Sequence, residues 1–120
     1  MAYPTEPALP DLIIRQVNLI YLNLSNCQIT DKDLSKISNL HQLRQLSISV
    51  SRLLTNAGLM SLSALLNLSI LDLSNCVYIS GNILSYKFIK KLEHLNLSGC
   101  FSIAEKSLIK LADSNIKKLI

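Results

Sequence analysis

Leucine and its aliphatic relatives recur along this chain at nearly fixed intervals. Leu22-Asn-Leu-Ser-Asn-Cys27, Leu71-Asp-Leu-Ser-Asn-Cys76 and Leu95-Asn-Leu-Ser-Gly-Cys100 are close copies. Each follows a further leucine three residues earlier, at Leu19, Leu68 and Leu92. Leu43-Arg-Gln-Leu46-Ser-Ile48-Ser-Val-Ser51 is a weaker copy, and Ile116-Lys-Lys-Leu119-Ile120 is half of one. The units begin at 19, 43, 68, 92 and 116, with spacings of 24, 25, 24 and 24 residues. Five phased units over a hundred residues identify a tandem repeat.

Within a unit, the Leu-x-Leu alternation predicts a short strand with its leucines on one side and the intervening residues on the other. An aliphatic residue then follows, at Ile29, Leu54, Ile79 or Ile103, and five residues later another, at Leu34, Leu59, Leu84 or Leu108. Apolar residues continue at helical spacing in Leu34, Ile37, Leu40, in Leu59, Leu62, Leu65 and in the shorter Leu108, Leu111. The third unit has Lys87 where the pattern wants an apolar residue, and Phe88 and Ile89 are expected to fill the core in its place. Thr30-Asp31 and Thr55-Asn56 supply side-chain oxygens where helices should start. A strand–turn–helix unit cannot bury its own apolar face, so its neighbours must stack on it. The predicted fold is a right-handed α/β solenoid of about four and a half repeats, with short parallel strands on the concave face and helices on the convex face. Residues 1–18 form an N-terminal segment, in which Leu12-Ile13-Ile14 is expected to cap the first repeat, and residues 19–120 form the repeat domain.

The pattern LxxLxLxxCxxITDxxLxxL resembles the cysteine-containing leucine-rich repeats of the substrate-recognition half of F-box ubiquitin-ligase adaptors. Leu19 to Leu34 matches it closely, through Cys27 and Ile29-Thr30-Asp31, with one residue missing between Cys27 and Ile29. The third and fourth units match through Ile79-Ser80-Gly81 and Ile103-Ala104-Glu105, whereas the second has Ser51 in place of the cysteine. The resemblance covers roughly residues 12–120. It implies a leucine-rich-repeat fold and a role in selecting proteins, linked to ubiquitin ligation. Leu9-Pro10-Asp11-Leu12 resembles the opening of an F-box, but that module is several times longer than the space before Leu19, so no F-box is expected here.

Composition narrows the setting. Hydrophobic residues make up 49% of the 120 residues, aromatic ones only 5%, and tryptophan is absent, so the core of this single domain must be built from Leu and Ile. No apolar run reaches the ~18–20 residues of a membrane helix, and Met1-Ala-Tyr-Pro-Thr-Glu-Pro lacks the basic and apolar regions of a secretory signal. The cysteines are odd in number, Cys27, Cys76 and Cys100, without a CxxC pair. Of the glycosylation-type triplets at Asn23, Asn67 and Asn96, two fall on predicted strands, where a glycan would obstruct packing. These features together place the chain in a reducing, cytoplasmic compartment.

Candidate chemistry is sparse. Cys27, Cys76 and Cys100 with His94 could supply zinc ligands, but the cysteines share one phase of the repeat and His94 points the other way, so they are read as small packing residues. Ser25, Ser74 and Ser98 recur with the repeat, Asp72 is out of phase with His94, and the glycines are too scattered for a phosphate loop. No catalytic residue, cofactor, metal or small-molecule substrate is assigned. The concave face is the candidate site, built from Tyr21, Asn23, Gln45, Ser47, Ile70, Asp72, His94 and Asn96. Its Ser and Asn columns repeat from unit to unit, whereas Tyr21, Gln45, Ile70 and His94 vary, as a recognition stripe for a protein partner should. A second reading is association through the carboxyl-terminal edge, where Ile116 to Ile120 stops in mid-strand, as in a fragment or a degenerate family member. A third rests on the net charge of +4, which arises entirely after residue 86. There Lys87, Lys90 and Lys91 on one helix and Lys106 and Lys110 on its neighbour form a candidate patch for nucleic acid or an anionic membrane. No aromatic residues interleave with them, so a solvated face is the plainer account.

Overall fold

The computed structural model describes residue 13 and residues 15–120. Five short strands, β1 (Tyr21–Asn23), β2 (Gln45–Ser47), β3 (Ile70–Asp72), β4 (His94–Asn96) and β5 (Lys118–Leu119), form one parallel sheet in chain order. Equivalent residues of the units stand opposite one another: Tyr21, Gln45, Ile70, His94 and Lys118 form one row, and Leu22, Leu46, Leu71, Leu95 and Leu119 the next. Asn23, Ser47, Asp72 and Asn96 form the third. Parallel strands need a crossover between them, and here the crossovers carry short helices. These are α1 (Asp31–Ile37), α2 (Asn56–Leu59) running into the 3₁₀ helix η1 (Met60–Ala64), η2 (Gly81–Ser85), α3 (Lys87–Lys91) and η3 (Glu105–Leu111).

The leucine row of the strands turns away from solvent and meets the apolar side of the crossovers in a single core. Leu43, Leu46, Ile48, Leu71, Leu73, Leu92 and Leu95 from the strand side pack with Ile29, Leu34, Ile37, Leu54, Leu59, Leu62, Ile79, Ile83, Leu84 and Ile89. Each fully buried aliphatic side chain contributes about 1.5–3 kcal/mol over its exposed state, so the repeated leucine positions are the main source of stability. In the third unit Ile83, Leu84 and Ile89 are buried, while Phe88 is half-buried beside Tyr86, with ring centroids 6.0 Å apart. Leu108 departs from expectation. As the counterpart of Leu34 it should be buried, but it lies on the last unit with no described residues stacked beyond it, and Leu111 reaches the core instead. Ile13 is partly buried against the first unit. Leu12, Ile14 and the segment Leu9 to Leu12 lie outside the described residues, so most of the expected cap does too. Among the described residues no helix is long and apolar enough to cross a membrane.

The crossover helices are shorter and tighter than expected. Three of them are 3₁₀ helices, and the spacing of Leu59, Leu62 and Leu65 in threes suits the 3.0-residue turn of that helix as well as an α-helix. Only α1 has a full cap: the Asp33 amide donates to Thr30 Oγ1 at 3.2 Å, and the Thr30 amide donates to Asp33 Oδ2 at 3.0 Å. Thr55, expected to cap α2 in the same way, instead binds the preceding unit. Its amide and hydroxyl donate to Asp31 Oδ1 and Oδ2 at 2.9 and 2.6 Å. Asn56 repeats the link one unit on, donating to Ser80 Oγ at 2.7 Å and accepting from the Ser80 amide at 3.0 Å. These polar clasps leave room for only a hydrogen at Gly58, where a Cβ would overlap Asp31.

Three of the five strands, β1, β3 and β4, end by the same local device. The amides of Ser25, Ser74 and Ser98 donate to Oδ1 of Asn23, Asp72 and Asn96 at 2.9, 2.9 and 3.0 Å. The chain then turns through a left-handed residue: Asn26, Asn75 and Gly99 have φ of 62°, 60° and 74°. Asparagine and glycine suit that region. The second unit places Val50 there, at φ 59°, where a β-branched side chain is a true outlier. Val50 is held by its place in the sheet, its amide donating to Ser74 O at 2.8 Å. Replacing a half-exposed valine by the residue found at positions 26 and 75 should relieve this strain. Val50→Asn is therefore expected to raise unfolding stability by about 1 kcal/mol in urea titration. A neutral or negative change would show that position 50 is not strained.

Candidate functional site

The solvent side of the sheet forms an open trough of about 310 Å³. Tyr21, Asn23, Gln45, Ser47, Ile70, Asp72, His94 and Asn96 all line it, as do Ser25, Lys118 and Ile120. Strict register brings these residues together, since alternate side chains of every strand project to this face. Lys118 and Ile120 were not among the residues assigned to this face from the sequence. The signal for them was present, because Lys118 lies 24 residues after His94 and extends its row.

The rows differ in what they offer. In the first, Tyr21 is exposed at one end, Gln45, Ile70 and His94 are half-buried, and Lys118 is exposed at the other end. The amide and carboxylate side chains of the third row are already engaged by the strand-ending turns. Beside them the hydroxyls of Ser47 and Ser49 contact that of Ser25 at 2.7 and 2.8 Å. This network fixes the polar columns in place and leaves the first row as the variable surface. Glu93, just before β4, is paired with Lys117 at 3.1 Å. The hydrogen bond and charge of Lys117, with the Ser69 hydroxyl, hold its carboxyl below the usual carboxylate range. Among the described residues Asp72 is thus the lone carboxylate side chain lining the trough and Lys118 the lone ammonium side chain.

The lysines are arranged less compactly than a single patch. Lys87, Lys90 and Lys91 share the one short helix α3, and Lys87 and Lys91 flank a small hollow with Leu66 and Phe88. Lys106 and Lys110 lie on η3, which packs chiefly on η2 rather than on α3. Four residues in a 3₁₀ helix are one and a third turns, so these two lysines diverge instead of standing one above the other.

The cysteines face inward. The thiols of Cys76 and Cys100 donate to Ile48 O and Leu73 O of the preceding unit at 3.3 and 3.0 Å, and Cys27 is half-buried. Burial pushes the Cys76 thiol up to about 11 and raises that of Cys100 as well. Sequence reasoning missed a different surface altogether. Along the edge that follows the strands, Val50, Leu53, Tyr78 and Phe101 are exposed, Phe101 by 85%. Each lies within four residues of an aliphatic position of the core pattern (Leu54, Ile79 or the partly buried Ile103), and an apolar residue so close to that pattern reads as part of it. At the carboxyl-terminal end, a cavity of about 400 Å³ is lined by Leu97, Cys100, Ile103, Leu108, Leu119 and Ile120.

A family described as Leucine Rich repeat matches residues 16–38, the segment holding β1 and α1. That match supports a leucine-rich repeat protein, a class whose repeats generally mediate protein–protein interaction and are generally not enzymes. No curated protein matches the chain.

The thiols give a direct check of this packing. Because the thiolate is the reactive form, a rise from 9.0 to about 11 lowers the reactivity of Cys76 about a hundredfold at neutral pH. A disulfide reagent at pH 8 is expected to modify Cys27 first in the native protein, with Cys76 and Cys100 reacting only as it unfolds. Folding holds the Cys76 proton, so its contribution to stability falls as pH rises from 9 towards 11. Three equally fast thiols in the native state would contradict the packing.

Proposed function

We propose that the chain is a protein-binding module, a right-handed solenoid of about four and a half leucine-rich repeats that engages its partner on the concave strand face. The observation that carries this reading is the trough, where one row of chemically diverse side chains stands in register on a surface held rigid by the polar columns beside it. A surface ordered before binding loses little entropy when a partner arrives. Tyr21 supplies an exposed aromatic anchor. The role that the resemblance to F-box adaptors suggests is recognition of proteins for ubiquitin ligation in the cytoplasm.

A second reading has its own observation. Leu119 of β5 and the adjoining Ile120 are both exposed, beside the apolar cavity at that end. An open apolar edge is a template for pairing, so association through this edge is the alternative. A mass measurement in solution separates the two. Edge pairing predicts a species larger than 13.3 kDa that Ile120→Lys returns to monomer, whereas the concave-face reading needs no such species. The lysines rank third as a nucleic-acid or anionic-membrane surface, since they are spread over two helices that do not pack chiefly on each other.

The leading reading is tested by affinity capture from cytosol, comparing the native chain with a Tyr21→Ala, Ile70→Ser, His94→Ala variant of unchanged circular dichroism. Proteins retained at high salt by the native chain are expected to fall at least about tenfold with the variant, as loss of anchor residues at a binding surface should produce. Capture unaffected by the triple change, or capture of RNA alone that vanishes with salt, would contradict it.

A further inference from the structure

The chemistry of the partner can be read from Asp72, granted the concave-face reading above. Asn23, Asp72 and Asn96 do one structural job, each accepting the amide two residues on through Oδ1 at 2.9–3.0 Å. The units with asparagine show that this turn needs an acceptor and no charge. The negative charge of Asp72 is therefore surplus to the fold. Its second oxygen meets only the Ser47 hydroxyl, at 3.5 Å, and among the described residues it has no cationic partner. Asp72 is half-exposed and stands at the middle of the trough.

The neighbours of that carboxylate define what fits it. Ile70 precedes it by two residues on the same face, roughly 6.7 Å away along the strand. That distance matches the aliphatic stem of a long basic side chain, which lies on apolar surface while its head seeks charge. The trough crosses five strands at about 4.8 Å spacing, roughly 19 Å in all, the span of about six extended residues. Tyr21 lies two strand spacings from Ile70, or about three extended residues. A phosphate backbone is disfavoured here, because the carboxylate would repel it at the centre of the site.

We propose that the trough takes an extended polypeptide segment that lays an Arg or Lys side chain over Ile70 with its head on Asp72, and an apolar side chain against Tyr21 about three residues away. An arginine fork is the better match for a carboxylate with one oxygen shared and one open. Asp72 makes the segment's basic position a requirement of specificity, while Tyr21 and Ile70 supply contact area.

The test uses a random twelve-residue peptide library displayed on phage and selected on the full chain. Peptides recovered on the native protein are expected to share one basic position. Synthesised, they should bind Asp72→Asn about tenfold more weakly and Tyr21→Ala, Ile70→Ser more weakly still. Asp72→Asn keeps the turn acceptor used at positions 23 and 96, so its fold is preserved. Replacing the basic residue of the peptide by glutamine should erase the difference between native and Asp72→Asn proteins. Peptides that depend on Tyr21 and Ile70 but carry no basic position, or that bind Asp72→Asn equally well, would overturn the Asp72 assignment and leave the concave-face reading standing. Selection of peptides indifferent to all three residues, or of none, would overturn both.

Discussion

Every part of this molecule answers to the burial of one leucine row between consecutive units. A three-residue strand with one inward leucine has too little apolar surface to hold itself together, and only a neighbour in the same register covers it. Leu22, Leu46, Leu71 and Leu95 are therefore aligned to the residue across the sheet. Once they are aligned, the residues on either side must be aligned as well. The register that buries the leucines is the same register that assembles Tyr21, Gln45, Ile70 and His94 into a surface. A slip of one residue would send leucines to solvent and the outward row into the core.

Polar contacts refine this stack without driving it. The Asp31–Thr55 and Asn56–Ser80 clasps join helix starts of adjacent units, and the thiols of Cys76 and Cys100 reach carbonyls of the unit before. All of them bridge about 24 to 28 residues of chain, so each ties one unit to the next. The serine and asparagine columns serve the strand ends in the same way. They occupy the acceptor oxygens at the strand ends, and the groups left over stand out. Asp72 is the clearest case, a charge placed where its counterparts show that none is needed.

Much of this was legible in the sequence because the period is so regular. The strand positions, their parallel order and the two sides of each strand all follow from the Leu-x-Leu spacing, and the eight trough residues picked from it do share one surface. Other features were hidden for physical reasons. Apolar residues spaced in threes, as in Leu59, Leu62 and Leu65, fit α and 3₁₀ helices alike, so helix type stayed open. Thr55 looked like a cap, since a threonine before a helix start carries no mark of the aspartate from another unit that claims its hydroxyl. Val50 gave no sign of a left-handed turn, because valine is among the last residues expected there. Leu108 looked buried because its counterparts are; only the structure shows that nothing described covers it. The use of the trough is a separate matter, since facing outward is a geometric property and binding is not.

The central claim is that this face meets a protein, and crosslinking from single positions tests it most directly. A photoreactive phenylalanine analogue would replace Gln45 in the trough or Lys32 on the exposed side of α1, and each protein would be irradiated in cytosol. The account predicts discrete protein adducts from position 45 and none of comparable yield from position 32. Equal adducts from both positions, or adducts from position 32 alone, would contradict it.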